Sequence, residues 1–405
     1  MSALRSPSRG PRTLVALSAA VLLTGVLTSC NATTSSPEEK NADVKADDAV
    51  AQVSVSPNVG RGAQNVPITK VIKVNASDGT LTKVVATGTD GVKLTGSLNG
   101  DQTTWSAGQR LEPGTAYTLK TVAESADGSA QRSVVKFSTA DLTLDEQTYA
   151  SVAPLDGETV GVGMPVIVHF DVPVTDQKSI EKHMSVSSTP QQKGSWHWMS
   201  ETEVRYRPAS YWKPGTDVKV DVDVNSIPAG NGIYGQESRS VDFHVGDSVV
   251  SKVNAQTHQM KTYVNGKLAR TMPTTTGKPG FTTRSGVKVI MEKFRTKRMN
   301  SETIGIDPDA AEGYDLDDVE YAMRVTNSGE FIHAAPWSTG SQGYANVSHG
   351  CTGLSTENAG WLYGVSKRGD VVEFTGTDRQ MTLDNGYGDW NESFRAYAKG
   401  SALHR

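Results

Sequence analysis

A repeat of about 100 residues constrains how the first half of this 405-residue chain can fold. The run Leu111–Thr115 reads Leu-Glu-Pro-Gly-Thr, and 101 positions later Trp212–Thr216 reads Trp-Lys-Pro-Gly-Thr. Each copy continues into a segment that alternates between apolar and polar residues, and each ends in a further strand-like run. Such alternation is typical of strands with one buried face, and the frequent Gly and Pro turns favour β-sandwiches. The repeat therefore predicts two tandem β-sandwich domains.

A length of about 100 residues is that of the immunoglobulin-like sandwich, so we predict immunoglobulin-like domains at residues 51–142 and 143–247. Such domains serve as spacers or as binding platforms, and the sequence does not choose between these roles. The run Trp196-His197-Trp198 in the second copy could bind carbohydrate. Two aromatic residues on the buried face of a strand are the favoured interpretation. His169 and His183 show no metal-site spacing, and we predict no metal.

The first thirty residues have the features of an export signal. Arg5, Arg9 and Arg12 precede an apolar stretch of about fourteen residues, which is short for a membrane span. The stretch ends in Leu-Thr-Ser-Cys at Cys30, which resembles a bacterial lipobox. We expect residues 1–30 to be a lipoprotein signal peptide and Cys30 to anchor the chain by lipid to the outer face of the cell membrane. The alternative is an ordinary secretory peptide with an incidental cysteine.

The remaining composition excludes several classes of function. Residues 31–50 are small, polar and charged, which predicts a flexible linker. The formal net charge is −4, and loss of the leader, with its three arginines and no acidic residue, brings it to −7. This balance argues against a nucleic-acid partner. If Cys30 is modified, Cys351 has no intramolecular partner, so a disulfide framework and a four-ligand zinc site of paired cysteines are both excluded.

The lone thiol has the surroundings of a cysteine nucleophile. Cys351 ends the run Ser348-His349-Gly350-Cys351, and His333 stands eighteen positions upstream in an apolar segment. A thiol with an imidazole nearby can be activated for nucleophilic attack. Ser355 is placed to cap a short helix, so Cys351 is expected on a loop between a strand and a helix.

Two further segments of this region carry structural predictions. Asn265-Gly266 lies between two strand-like segments and predicts a two-residue hairpin turn. Residues 295–320 are polar and irregular in pattern, and we predict a mobile flap over a cleft.

The spacing of His333 and the Ser348–Cys351 run resembles the active-site motif of L,D-transpeptidases, whose catalytic fold is called YkuD. The similarity extends to flanking segments, namely Gly277-Lys278-Pro279-Gly280, Met291-Glu292-Lys293-Phe294, His333-Ala334-Ala335-Pro336-Trp337, Gln342-Gly343-Tyr344 and Gly388-Asp389-Trp390-Asn391. These segments resemble the mycobacterial lipoprotein-type branch of the family. The resemblance implies a mainly β chain in which two immunoglobulin-like domains precede a YkuD-type β-sandwich catalytic domain at 248–376 and a short C-terminal subdomain at 377–405.

The resemblance also implies a reaction, the formation of 3→3 cross-links between peptidoglycan stem peptides. Cys351 would attack the meso-diaminopimelate carbonyl of a donor tetrapeptide, release D-alanine and pass the acyl group to the amine of an acceptor stem. His333 would be the base and would lower the pKa of the thiol, and a backbone carbonyl just after it would hold its other nitrogen. No cofactor is implied, and carbapenems are expected as covalent inhibitors.

The resemblance assigns supporting roles to the remaining site residues. The backbone amides of Gly350 and Cys351, with the hydroxyl of Tyr314, would stabilise the oxyanion. The other residues expected to shape the pocket or contact substrate are His349, Met299, Trp337, Ser348 and Gly353.

One residue departs from the family pattern. The family has asparagine two positions after the cysteine, where this chain has Gly353. The departure puts the affinity for the donor stem or the order of the loop in question. Two alternatives therefore stay open: an L,D-carboxypeptidase that passes the acyl group to water, and a wall-binding scaffold whose catalytic domain has lapsed.

Overall fold

The structure, a computed structural model, describes residues 51–89 and 91–404. The predicted signal peptide, the lipidated Cys30 and the linker at 31–50 lie outside the described residues. Within the described ranges, no helix is both long enough and apolar enough to cross a membrane. Strands dominate the described chain, and the prediction of a mainly β protein is confirmed.

The first domain is a sandwich of two four-stranded sheets. The sheets have the strand orders β1-β2-β6-β5 and β4-β3-β7-β8. Alternate residues of β7 are buried, as expected for a strand with one face on a core. The strands are β1 (Ser54–Pro57), β2 (Lys73–Ser77), β3 (Gly79–Gly88), β4 (Lys93–Leu94), β5 (Gly96–Leu98), β6 (Thr104–Ala107), β7 (Ala116–Ser125) and β8 (Ala130–Ser138).

The second domain repeats this plan with more strands. Sheets of order β10-β12-β15-β14 and β11-β19-β16-β13 enclose its core, and a small sheet β17-β18-β9 lies beside them. The helix α1 (Gln177–Glu181) is capped by the side chain of Asp176. The strands are β9 (Gln147–Thr148), β10 (Ala150–Ala153), β11 (Thr159–Val160), β12 (Val166–Phe170), β13 (Met184–Thr189), β14 (Gly194–Trp198), β15 (Glu203–Pro208), β16 (Asp217–Val222), β17 (Pro228–Gly230), β18 (Ile233–Gly235) and β19 (Arg239–Val245).

The repeated Pro-Gly-Thr motif is a turn that leads into equivalent strands, β7 and β16. Gly114 has φ of 56° and Gly215 has φ of 76°, a left-handed conformation that glycine adopts without strain. The motif positions just before the two turns, Leu111 and Trp212, are both buried. The repeat therefore encodes the same anchored turn in both sandwiches.

The Trp196-His197-Trp198 run belongs to the core of the second domain. Both tryptophans are buried, at 7% and 5% exposure. His197 points the other way, and its Nδ1–H donates to the carbonyl of Tyr397 at 2.8 Å. The structural interpretation of this run is therefore correct, and the tryptophans are not available to stack on a sugar.

The third region packs two sheets and a helix around a separate apolar core. The sheets have the orders β22-β21-β20-β28-β23 and β24-β25-β26-β27, and α2 (Thr356–Val365) begins after its cap Ser355, as predicted. The strands are β20 (Val249–Asn254), β21 (Gln259–Val264), β22 (Lys267–Pro273), β23 (Gly286–Val289), β24 (Glu292–Asn300), β25 (Asp315–Arg324), β26 (Phe331–Ala334), β27 (Thr352–Leu354) and β28 (Val371–Thr375). The Asn265-Gly266 turn joins β21 and β22 with both residues at positive φ, and that prediction is confirmed.

The sequence predicted an irregular segment at 295–320, but the structure shows paired strands at both of its ends. Its ends belong to β24 and β25, which pair antiparallel, so that only residues 301–314 form the loop between them. The pattern was misleading because most residues of β24 are polar, and the buried residues of β25, such as Val319 and Met323, do not alternate regularly. Cross-strand charge pairs replace apolar alternation: Arg295 contacts Glu320 at 2.8 Å, and Arg298 contacts Asp315 at 2.5 Å.

The C-terminal residues pack back onto the second sandwich domain. The short helix α3 (Phe394–Tyr397) brings Tyr397 to the fully buried Asp389, with 2.9 Å between the hydroxyl and the carboxylate. Arg205 of β15 reaches the same carboxylate at 3.2 Å. The indole of Trp390 donates to the carbonyl of Gly163 at 2.8 Å. This segment thus ties the second sandwich to the third region.

Candidate active site

Two neighbouring parallel strands bring His333 and Cys351 to one cavity. His333 lies in β26, and Cys351 is the residue before β27. The thiol loop therefore ends at a short strand, and not directly at a helix as the sequence predicted, because residues 352–354 pair with β26 before the helix begins. Ile332 is opposite Thr352 and His333 is opposite Gly353, so the imidazole and the thiol lie at the same part of the sheet. Both side chains line a cavity of about 340 Å³. The pairing of β26 with β27 thus brings His333 and Cys351, eighteen positions apart in sequence, to the same cavity.

The loop that carries the thiol is held by its own serine. The hydroxyl of Ser348 donates to the carbonyl of Cys351 at 2.6 Å and accepts from the amide of Gly350 at 3.1 Å. From outside the loop, Thr283 donates to the carbonyl of Gly350 at 2.8 Å. Gly350 has φ of 120°, which side-chain-bearing residues rarely adopt. The loop is therefore fixed in shape without substrate.

These bonds change the expected oxyanion donors. The amide of Gly350 is already used by Ser348, so it is not free to bind an oxyanion in this arrangement. Tyr314 lines the cavity, and among the described residues its hydroxyl has no hydrogen-bond partner. Burial, and then the charge of Cys351, raise the pKa of Tyr314 to about 12, so its hydroxyl keeps its proton. Tyr314 and the amide of Cys351 are the remaining candidate donors.

His333 is arranged as a neutral base. The residue is buried, and its Nδ1 lies 2.7 Å from the carbonyl of Ala334. Because a carbonyl only accepts, Nδ1 carries the hydrogen and Nε2 holds the free electron pair. Burial lowers the pKa of His333, which keeps the ring uncharged. Trp337 stacks on the ring at 5.9 Å between centroids and fixes its plane.

The thiol differs from the sequence prediction in its protonation. We expected His333 to lower the pKa of Cys351, but burial raises it to about 11. The Sγ instead lies 3.7 Å from the carbonyl of Gly329, as a protonated thiol would. Because an uncharged imidazole offers no positive charge, it cannot stabilise a thiolate at rest. At rest the cavity therefore holds a neutral thiol and a neutral imidazole.

His349 lies at a junction between the thiol loop and the loop at 301–314. Its Nε2 is 2.8 Å from the carboxylate of Glu312, which Lys278 also contacts at 2.5 Å. The His349 ring packs edge-on against Phe281 and lies 5.2 Å from the ring of Tyr314. Met299 of β24 completes this wall of the cavity. The sequence reasoning missed Glu312 because an exposed acid in a polar loop carries no motif.

Gly353 is enclosed by its neighbours. A Cβ at this position would stand 2.9 Å from the Cγ2 of Thr275 and 3.0 Å from the Cβ of Ala335. Thr275 pairs with Gly353 through two backbone hydrogen bonds of 3.1 and 2.9 Å. The side chains of Thr275 and Ala335 thus fill the space that the family's asparagine side chain would need.

The sequence reasoning also missed several residues that line the cavity beside the predicted ones. No local signal distinguishes them, because they reach the cavity from separate elements; they are Thr275, Leu316, Ala335, Ser338 and Val347. Among the described residues, no group of three or more His, Cys, Asp or Glu side chains is placed to hold a metal ion.

Comparison with known proteins identifies both parts of the chain. Residues 63–228 match the bacterial Ig domain family, and residues 248–374 match the L,D-transpeptidase catalytic domain, YkuD. L,D-transpeptidase 2 of Mycobacterium tuberculosis is 35% identical over 346 residues, which are 85% of this chain and 84% of that protein. L,D-transpeptidase 5 of the same species is 33% identical over 349 residues, covering 84% of this chain and 75% of that protein.

Solved structures give the same assignment. The structure of the LD transpeptidase LdtMt1 in complex with imipenem is 40% identical, with a TM-score of 0.50. The match covers 56% of this chain and 98% of that one. The predicted architecture, immunoglobulin-like domains before a YkuD-type enzyme domain, is confirmed. By its similarity over most of its length to these enzymes, the chain belongs to the L,D-transpeptidase family.

Proposed function

We propose that this enzyme forms 3→3 cross-links in peptidoglycan through a thioester on Cys351. The observation that supports this proposal best is the shared cavity of His333 and Cys351, in which the tautomer of His333 is fixed by the carbonyl of Ala334. An imidazole with a free Nε2 electron pair beside a thiol is the arrangement that acyl transfer requires.

In the acylation step, Nε2 of His333 takes the thiol proton while Sγ of Cys351 attacks the carbonyl of diaminopimelate in a donor tetrapeptide. Proton transfer accompanies the attack, because burial holds the pKa of the thiol at about 11 and keeps His333 uncharged. The imidazolium then gives its proton to the nitrogen of the departing D-alanine. The C–N bond breaks and a thioester remains.

In the second step, the side-chain amine of an acceptor stem attacks the thioester. Neutral His333 takes a proton from that amine as the new C–N bond forms. The C–S bond of the thioester then breaks, and the proton passes from His333 to the departing sulfur of Cys351. Tyr314 and the amide of Cys351 stabilise the oxyanion in both steps. Dividing amide exchange into two steps through a thioester lowers the barrier of each.

Intact-mass spectrometry with a tetrapeptide stem, and separately with imipenem, tests the acyl-enzyme. The unmodified chain is expected to gain one adduct, Cys351→Ala none, and His333→Ala an adduct that forms at least 100-fold more slowly. His169→Ala is the matched control, since this exposed imidazole lies in the second sandwich. An adduct on Cys351→Ala would refute the proposal.

Product analysis separates transfer from hydrolysis. With an acceptor stem present, a cross-linked dimer and free D-alanine are expected in equal amounts. A shortened donor as the main product, unchanged by the acceptor, would instead establish the carboxypeptidase. If no D-alanine is released, with or without the acceptor stem, the scaffold alternative remains.

We also propose that Cys30 is lipidated and that the enzyme works at the outer face of the cell membrane. The lipobox-like run before Cys30 and the basic, apolar leader support this proposal. Labelling with an alkyne fatty acid is expected to mark the chain, and Cys30→Ala to abolish the label. Cys351→Ala should keep it, and a label that persists without Cys30 would contradict the proposed anchor.

A further inference from the structure

A buried cluster of three charged side chains lies behind the thiol loop. Lys288 of β23 has no exposed side-chain surface, and its ammonium contacts the carboxylate of Glu330. The guanidinium of Arg284 lies 2.9 Å from the other oxygen of Glu330, and the backbone amide of Arg284 lies 3.2 Å from it. The Lys288 ammonium also stands 3.7 Å from the centre of the Phe374 ring. The three residues form a compact group in which Lys288 and Glu330 are buried and the side chain of Arg284 is 15% exposed.

Such a cluster is a costly way to fill a core. Removing charges from water costs several kcal/mol per ion, and apolar residues of similar volume often give equal or greater stability. Burial lowers the pKa of Lys288 to about 8, against the opposing effect of Glu330. Lys288 is therefore mostly charged at neutral pH and loses its proton as the pH rises past 8. Stability alone does not account for these residues.

The cluster is connected to the thiol on two sides. Glu330 stands between Gly329, whose carbonyl lies near the Cys351 sulfur, and Phe331, whose backbone also contacts it. Arg284 directly follows Thr283, which holds the carbonyl of Gly350. A shift of Glu330 or Arg284 would thus move a backbone group that contacts the thiol or its loop.

The cluster carries one net positive charge, from two cations and one carboxylate. A positive charge near a thiol favours the thiolate, and a negative one opposes it. Of these charges, Glu330 has the largest effect on Cys351 and raises the pKa of the thiol, whereas Lys288 and Arg324 lower it. The charged or titratable groups that face the thiol region from the surrounding elements are Lys288, Arg284, Glu330, Arg324, His333, Tyr314 and His349.

We propose that Lys288, Glu330 and Arg284 are positioning residues that hold the thiol loop, and that Lys288 offsets the buried negative charge of Glu330, which opposes thiolate formation at Cys351. This inference rests on the proposed nucleophilic role of Cys351. The roles are unequal: Glu330 orients the two cations, and Lys288 balances its carboxylate at the oxygen that Arg284 does not contact.

The test is the rate at which iodoacetamide alkylates Cys351 in the chain with Cys30→Ser, which leaves one thiol. Lys288→Met leaves Glu330 paired with Arg284 and no net charge. Since a nearby charge shifts the pKa of a thiol by about 1 or more, alkylation at pH 7 should slow about tenfold. The difference should shrink above pH 8 as Lys288 of the parent chain loses its own proton.

Further variants separate charge from structure. Glu330→Gln leaves at least one net positive charge whether or not Lys288 keeps its proton, so alkylation at pH 7 should not slow. The double variant Lys288→Met/Glu330→Gln keeps Arg284 and should return to within about twofold of the parent rate. The matched control is Lys252→Met, which removes a half-exposed lysine of β20 and should change nothing.

Each outcome bears on the inference. A Lys288→Met variant with the parent rate, a deficit that persists unchanged above pH 8, or a double variant as slow as Lys288→Met would each overturn it. If Lys288→Met does not fold, the test uses the double variant and Glu330→Gln instead. Alkylation slower than that of the parent chain in both variants would then overturn the inference. Alkylation needs no stem peptide, so a failure of the proposed transpeptidation is detected separately, in the product analysis.

Discussion

Replacing Gly353 by the family's asparagine is expected to destabilise this enzyme rather than improve it. A Cβ at this position would stand 2.9 Å from the Cγ2 of Thr275 and 3.0 Å from the Cβ of Ala335. Comfortable contacts between carbon atoms are about 3.5–4.0 Å, so both neighbours would have to move by roughly half an ångström or more.

Neither neighbour is free to move cheaply. The hydroxyl of Thr275 donates to the carbonyl of Ala345 at 2.8 Å and accepts from the amide of Val347 at 3.0 Å, which fixes its rotamer. The Cβ of Ala335 is attached to backbone whose amide donates to the carbonyl of Leu354 at 2.7 Å. Relief would therefore require a shift of backbone beside the cavity. Overpacking of this kind costs about 1–3 kcal/mol.

Urea unfolding and the rate of acylation by imipenem measure the effect. Gly353→Ala, which adds only the Cβ, should lose about 1–3 kcal/mol of unfolding free energy, and Gly353→Asn at least as much. Thr275→Ser removes the nearer methyl group and keeps the hydroxyl, so Thr275→Ser/Gly353→Ala should recover part of the loss. Thr275→Ser alone is the control. A Gly353→Asn variant with parental stability and faster acylation would refute this reasoning.

Three further predictions concern the rest of the molecule. Glu312→Gln removes the charged contacts to His349 and Lys278, and because exposed ion pairs contribute little to global stability, we expect faster hydrogen exchange at residues 301–314 without a change in global unfolding. Unchanged exchange would show that these contacts do not hold the loop. Burial raises the pKa of Asp370 to about 7. Between about pH 4 and pH 7 the folded state therefore keeps a proton that the unfolded chain releases. The free energy of unfolding should fall by roughly 1.4 kcal/mol for each pH unit in this range. Asp370→Asn should therefore be more stable than the parent at pH 8 and equal to it near pH 4 in urea unfolding, and an equal gain at both would exclude ionisation as the cause. Asp389→Ala leaves Arg205 with only one carboxylate partner, the partly exposed Glu203, and removes the acceptor of the Tyr397 hydroxyl, so it should cost about 3–5 kcal/mol in the same assay. A loss below about 1 kcal/mol would show that Glu203 is a sufficient partner for the guanidinium.

Features written in adjacent residues were predictable from the sequence. The Asn265-Gly266 turn needs two residues that tolerate positive φ, and the turn at Pro113-Gly114-Thr115 needs one, so the residue types identify the turns. Alternating apolar residues identified β7 because one face of that strand meets a core. The ribbon of β24 and β25 escaped the same reasoning because β24 is mostly polar and the buried residues of β25 do not alternate regularly.

The sequence by itself determined the reaction class, since the spacing of His333 and Cys351 and the residues around them are specific to one family. Only the tertiary structure decided the state of that site. It showed a neutral thiol and a neutral imidazole in one cavity, a closed space at Gly353, and the buried contact of Lys288 with Glu330, 42 positions apart. The physical reason is that burial, close contact and charge depend on residues brought together by folding, and no local pattern records which distant side chains those will be.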